Sequence, residues 1–431
     1  MATGFSCATA AARPLKPTFP RPALLRQALL GAMLSLAACA VPRPEATAVP
    51  PPPKDALAFR DAVDRLTVAL FARAKLDTDA ATGRTLVIDP LIDRATGNQS
   101  AATQSMEERM TEVVRQRFQG IQPQAFTAAS LDARPLILVG SITPVAAPGV
   151  IPPTTAPTQT YRIWASLADL RTNRIISHET AWVRADGVDM TPTPFFRDSP
   201  SWIADRSQAA YIKTCAGNPG DPVDPAYLNG LRAAAAVADG VKAYDAGRYG
   251  DALMLYARAQ GQPSGDQLRV YNGLYLANAA LGRSAAAEQA FGTLVEYGLE
   301  RGKLAVKFVF RPNSTEFWPD RAVSGPYPMW LRQIASRAEA APSCLQLVGH
   351  TSPTGPAPLN QALSLSRASY VRNALVTRSP LLANRTGTEG HGSAEPLVGS
   401  GRDDATDVLD RRVEFEVRSC LQAGMKLPGR G

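Results

Sequence analysis

Between residues 304 and 418, strand-length apolar runs alternate with two helix-length amphipathic stretches, and this alternation constrains the fold more than any other feature of the chain. Residues 306–310 (VKFVF) read as a strand and the turn-rich PNST follows. A helix is predicted over 327–340 and a second strand over 344–350, entering a loop punctuated by Pro353, Gly355 and Pro356. Residues 359–376 then form a helix with Leu363, Ala368 or Arg367, Val371 and Leu375 running down it. Two more strands, 385–390 and 412–417, flank a long Gly/Asp-rich excursion. The order βαβαββ predicts a two-layer α/β module at residues 301–420, with 421–431 as a tail.

Residues 225–300 are Ala-rich and helical, and they repeat at a fixed offset: Gly247, Ala252 and Tyr256 recur as Gly282, Ala287 and Phe291. Small residues let paired helices approach while an aromatic fills the groove between them. The pattern resembles a tetratricopeptide repeat, with Gly240 and Pro263 at fitting places; an unrelated pair of helical hairpins is the alternative. Because about three repeats are usually needed for independent stability, two should pack onto a neighbouring domain, as spacer, peptide groove or both.

Residues 55–205 read αβαβββ. Val63, Leu66 and Leu70 mark a first helix, 85–89 a strand, and Met106, Met110, Val113 or Val114, and Phe118 a second helix. Residues 136–140 are another strand, and 161–169 and 174–183 pair as a hairpin across Arg171-Thr172-Asn173. This is an α/β sandwich without a catalytic constellation; His178 has no partner nearby in sequence and reads as structural or solvent-facing. LVIDPLIDRATGNQS, LILVGSI and ASLADLRTNRIISHETAWV resemble the periplasmic lipoprotein folds of LpoB, FlgO and CsgG. That resemblance implies protein binding or assembly rather than chemistry. The fold class is thus mixed, α/β at both ends and α between.

Residues 1–26 contain Arg13, Lys16, Arg21 and Arg26 and no acid, and a short apolar run over 28–36 follows, the shape of an export signal. The run ends in Leu36-Ala37-Ala38-Cys39, which resembles the bacterial lipobox, with an ordinary secretory signal as the alternative. The resemblance implies a signal peptide over 1–38 and a diacylglycerol on Cys39, holding the chain to a membrane by its lipid. Ala40, in place of the aspartate that favours inner-membrane retention, implies an outer-membrane address facing the periplasm. Residues 39–54, including VPRPEATAVPPPP, form an extended tether. Downstream of the first forty residues no stretch is apolar enough to span a bilayer. Residues 1–38 also hold half of the formal charge of +8, leaving +4 over the rest, too mild to suggest nucleic acid. With Cys7 removed and Cys39 lipidated, Cys215, Cys344 and Cys420 face an oxidising compartment. Cys344 opens one predicted strand and Cys420 closes another in the same module, so these two are expected to pair. Three isolated thiols are the alternative, and Cys215 in the loop-like TCAGNPGDP is the odd one.

Three histidines and five scattered cysteines without a C-x-x-C argue against a His-rich metal site or a zinc ribbon. His350 and His391 sit at two predicted strand ends and can approach each other, but no third ligand lies in a matching motif, so no metal is expected. Ser393, His391 and Asp403 lack a G-x-S-x-G elbow. Neither an enzyme activity nor a cofactor is expected.

VGHTSPTGPAPLNQALSLSRASYVRNAL, GTEGHGSAEPL and DRRVEFEV, in that order, resemble the OmpA-like peptidoglycan-binding domain shared by OmpA, MotB and Pal. The resemblance implies a strand-to-helix pocket that holds the zwitterion of diaminopimelate in a peptidoglycan stem. A carboxylate in the GHTD motif takes the ammonium and an arginine fifteen positions later forks onto the carboxylate. Thr351 and Ser352 occupy the end of that motif, Arg367 the arginine place, Asn360 the head of the same helix, Asn313 the opposite wall, and Arg411 the start of the last strand. Ser352 stands where the family has aspartate, and a lost buried charge partner typically costs about 2–5 kcal/mol. The expectation is an outer-membrane lipoprotein that binds peptidoglycan non-covalently and tethers or assembles envelope proteins. The alternative is a scaffold or activator of a synthase or secretion complex whose OmpA-like domain no longer binds the wall.

Overall fold

The structure, a computed structural model, describes residues 56–74, 76, 83–145, 160–202, 205–311, 313–397 and 409–420. All of them belong to one compact unit, residues 51–431. Residues 1–38, read above as an export signal, together with Cys39, the proline-rich stretch through residue 55, Asp403 and residues 421–431 lie outside the described residues. Among the described residues no helix is long and apolar enough to cross a membrane.

The unit begins with α1 (Phe59–Arg73), β1 (Arg84–Ile88), β2 (Ile92–Asp93), α2 (Ala101–Arg117), β3 (Ile121–Gln124), α3 (Ala128–Asp132), β4 (Leu136–Val145), β5 (Thr160–Asp169) and β6 (Arg174–Arg184). The strands lie in the order β3-β1-β4-β5-β6, with β2 also on β4. β1 runs parallel to β3 and β4, whereas β4, β5 and β6 are antiparallel. Alternate residues of β4 serve two cores: Leu136 and Leu138 meet α1 and α2, while Ile137 and Val139 face the opposite layer. Ser100 starts α2 with a capping box, its hydroxyl accepting from the Thr103 amide while the Thr103 hydroxyl accepts from the Ser100 amide. The observed order adds β2, β3 and α3 to the expected αβαβββ. These pieces of two to five residues are too short to show a hydrophobic period. His178 does have a partner, its Nδ1 lying 2.8 Å from Ser166 Oγ across the hairpin.

Two short helices, α4 (Pro194–Asp198) and α5 (Arg206–Cys215), follow. Cys215 is therefore the last residue of a helix, not a loop residue; its thiol is fully buried, which pushes its pKa up to about 12. Helices α6 (Pro225–Asp245), α7 (Tyr249–Gln260), α8 (Leu268–Ala280) and α9 (Ser284–Glu300) carry the 35-residue repeat into space. Gly247 and Gly282 both adopt positive φ, +73° and +70°, at the turns between paired helices. Ala252, Ala287, Tyr256 and Phe291 are all buried. The helices lean on both neighbours: Tyr227 Oη on α6 donates to Asp89 Oδ2 (2.7 Å).

At the other end, Phe291 stacks on Trp330 and Trp330 Nε1 donates to Tyr275 Oη (2.9 Å).

The last module comprises β7 (Lys303–Val306), α10 (Arg321–Ser324), α11 (Tyr327–Ala340), β8 (Cys344–Gly349), α12 (Ala357–Arg378), β9 (Thr386–Gly390) and β10 (Val413–Arg418). Its sheet order is β7-β10-β8-β9, with β8 and β9 parallel and β10 antiparallel to both of its neighbours. The first strand lies three residues earlier than expected. Lys307 leaves the sheet, its amide donating to Pro200 O and its buried ammonium to Phe196 O (3.2 Å) and Arg197 O (2.9 Å). Phe308 and Phe310 instead join an aromatic cluster with Phe317, Tyr327 and Trp330. Arg385 is likewise not a strand residue: its guanidinium caps the end of α11, donating to the carbonyls of Ala338, Glu339, Ala341 and Ser343. Cys344 and Cys420 are joined as a disulfide, with Cα atoms 5.0 Å apart.

Candidate functional site

The site forms where β8 ends and α12 begins. Residues 350–356 connect them, and backbone bonds pin this loop on two sides: His350 N to Arg412 O (3.0 Å) and Thr351 N to Gly392 O (2.8 Å). Asn360, Ser364 and Arg367 sit four and three positions apart, so they share one helix face, and all three are buried. Asn360 Nδ2 donates to Thr354 O (2.9 Å) and reaches Ser352 O at 3.5 Å, fixing the loop to the first turn of α12. Ser352 Oγ lies 3.0 Å from Thr354 Oγ1. Ser364 Oγ accepts from the Gly392 amide (2.9 Å), which ties the same helix face to the turn after β9.

Arg367, about two turns further along α12, binds the segment that follows Phe310. Its Nε donates to Ser314 O and its Nη2 to Arg311 O, both at 3.1 Å, and its guanidinium carbon lies 4.9 Å from the Phe310 ring centre. A buried guanidinium held at two main-chain carbonyls is fixed in direction, as bidentate recognition of a carboxylate requires. Asn313 belongs to the turn that supplies those carbonyls; it is exposed and adopts φ +49°. Thr351, Ser352 and Asn360 thus gather around the loop, and Arg367 ties α12 to the Asn313 turn. Thr351 Oγ1 is buried and has no hydrogen-bond partner among the described residues. Arg411 is half-buried at the start of β10.

The arginine next to it is the more deeply placed. Arg412 Nε lies 2.6 Å from Glu414 Oε1, and both Nη atoms approach Glu395 O at 3.4 Å. Lys303 forms a second ion pair with Glu414. Burial pushes the Glu414 carboxyl up, but His350, Arg412 and Lys303 around it hold it well below the usual carboxylate range. Burial also lowers the pKa of His350, against the pull of Glu414. This cluster was not foreseen from the sequence: Glu414 reads there as one charge in an alternating strand. No sequence motif offers His350 and His391 a third ligand, but in space the Glu395 carboxylate lies within reach of both.

Residues 322–407 match the model of the OmpA family. Solved structures similar to part of the chain include the periplasmic domain of Helicobacter pylori MotB. It is 18% identical with a TM-score of 0.23, over 28% of this chain and 77% of that one. The cell wall anchor of the T6SS from Pseudomonas aeruginosa is 23% identical with a TM-score of 0.23, over 27% of this chain and 80% of the other. The peptidoglycan-associated lipoprotein from Burkholderia pseudomallei is 25% identical with a TM-score of 0.23, over 26% and 89%. None of the curated proteins compared with the chain matches it. The family match spans α10 through β9 and so includes the loop before α12 with Thr351 and Ser352, and Asn360 and Arg367 on α12; on that ground the chain carries a C-terminal OmpA-like domain.

Proposed function

We propose that the chain is a non-catalytic envelope protein that binds peptidoglycan through its OmpA-like domain, is held in the outer membrane by a lipid on Cys39, and faces the periplasm. The family match over residues 322–407 carries this reading. Its chemistry rests on Arg367, whose fixed guanidinium is suited to the carboxylate of a diaminopimelate stem, and on the buried Thr351 hydroxyl of the loop that leads into the same helix. The N-terminal α/β domain, read as LpoB/FlgO-like, and the tetratricopeptide-like helices would bind an envelope protein partner. The test is cosedimentation of the full chain with purified sacculi. The chain is expected in the pellet, Arg367→Ala in the supernatant, and Ser352→Asp more firmly retained than the parent. A chain that stays in solution overturns the wall-binding reading.

One observation favours a second reading, in which the domain is a scaffold and the chain activates or recruits an envelope complex. Ser352 brings no charge of its own and its hydroxyl lies against Thr354, so position 352 supplies no carboxylate for the ammonium of the stem. A stoichiometric protein partner that survives digestion of the wall, with no gain from Ser352→Asp, would support the scaffold.

A further inference from the structure

His350 and His391 stand side by side because β8 and β9 are parallel and in register, Gly349 opposite Gly390, and each histidine is the next residue of its strand. Backbone bonds hold both: His350 N donates to Arg412 O (3.0 Å) and His391 N to Gly349 O (2.9 Å). Their rings meet edge to face with centres 5.5 Å apart. A tight turn, closed by Ala394 N to His391 O (3.0 Å), then swings Glu395 back, so that its Oε1 lies 3.3 Å from His391 Nδ1. One ligand atom from each of His350, His391 and Glu395 falls within 4.8 Å of the others.

The His350 ring is buried and unpaired. The residue is 2% exposed, and neither ring nitrogen has a hydrogen-bond partner among the described residues. The nearest acid oxygen, Glu414 Oε2, is 3.7 Å from Nε2, beyond hydrogen-bond range. Buried polar atoms are nearly always paired, and an orphaned imidazole points to a ligand. We infer that His350, His391 and Glu395 form a binding site for a divalent first-row transition ion, of the Zn2+ type.

Two imidazoles and one carboxylate are the donor set of open three-ligand zinc sites, and they exclude hard cations that prefer all-oxygen shells. Ligand atoms around a tetrahedral zinc stand about 3.3 Å apart, given bonds of about 2.0–2.1 Å. His350 is fixed, whereas His391 and Glu395, with side chains 33% and 57% exposed, have room to close the remaining gap. Glu389 Oε2 competes for His391 Nε2 at 3.5 Å from the exposed side. The nearby cations Arg412 and Lys303 are engaged by Glu414.

The full chain, without a histidine tag and stripped with chelator, is titrated calorimetrically with ZnCl2 and with MgCl2. The parent should bind one more equivalent of Zn2+ than the His391→Ala/Glu395→Gln double variant, and Mg2+ should give no heat of binding. Each single variant should weaken that equivalent at least tenfold while leaving the circular dichroism spectrum unchanged; both side chains reach solvent, so folding does not depend on them. Replacing Zn2+ by Co2+ should give visible d–d absorption in the parent that is lost in the double variant. Equal Zn2+ stoichiometry and affinity in the parent and the double variant overturn the site, whatever thiols elsewhere bind. Failure of the sacculus assay leaves this result untouched, since the titration involves no peptidoglycan.

Discussion

Gly349 and Gly390 face each other across the parallel pair β8 and β9, and each lies directly beneath the backbone of α12. A methyl group on Gly349 would stand 2.0 Å from Ser364 O, and one on Gly390 would stand 2.5 Å from Leu365 N. Both obstacles are main chain, so the helix itself would have to move. Gly349→Ala and Gly390→Ala are each expected to destabilise the protein by about 1–3 kcal/mol or more, measured by urea denaturation. They should also weaken sacculus retention, because the helix that moves carries Asn360 and Arg367.

How much of this was legible beforehand differs from element to element. Helix α11 was expected over the residues it occupies and α12 to within two at each end, because long amphipathic periods report burial directly. The first strand of the same module was misplaced. Of the apolar run 306–310, Val306 ends the ladder while Phe308 and Phe310 serve an aromatic cluster, and apolar content alone does not separate the two. Arg385 looked like a strand residue because its role, capping a helix more than forty positions earlier, leaves no local trace. Of the site, the α12 face was readable at helical spacing. Glu395 and Glu414 were not, since what brings them to His350 is the register of three strands and the turn after β9.

The disulfide between Cys344 and Cys420 closes a loop with a sequence separation of 76 and fastens the end of β10 to the start of β8. In the chain-entropy picture a loop of this size contributes about 4 kcal/mol by restricting the unfolded state. The Cys344→Ser/Cys420→Ser variant should therefore lose about 2–4 kcal/mol in denaturant titrations. Reductant should lower the melting temperature of the parent towards that of the variant and leave the variant unchanged. Cys215 is too deeply buried to rescue the pair.

Lys307 is a pH-dependent liability at the junction between modules. Burial lowers its pKa to about 8 from an ordinary 10.5, although Asp198 nearby pulls it up. Its unfolded form therefore holds more protons than its folded form between those two values, and its contribution to stability rises with pH across that window. Below about pH 8 the full penalty applies, about 3 kcal/mol for a shift of this size. Lys307→Met removes the titration, so the stability difference between parent and variant should change by roughly that amount between about pH 7 and about pH 10.5. A difference that does not vary with pH would show that the ammonium is solvated in the folded state.

Tyr227 and Asp89 form the polar link between α6 and the N-terminal sheet. Burial raises the Asp89 carboxyl to about 6, while the Tyr227 hydroxyl bond opposes that rise. Because the folded pKa exceeds the unfolded one, folding takes up a proton here, and the contribution of Asp89 falls as pH rises from about 4 through 6. Above that range the site holds a buried carboxylate that depends on the hydroxyl. Tyr227→Phe should then cost about 1.5–3 kcal/mol near pH 7.5, the usual range for a hydrogen bond to a charged group. The loss should shrink near pH 5, where the carboxyl is protonated and the missing donor matters less. Denaturant titrations of parent and variant at the two pH values decide it: an equal loss at both would mean that Asp89 stays protonated in the folded protein throughout.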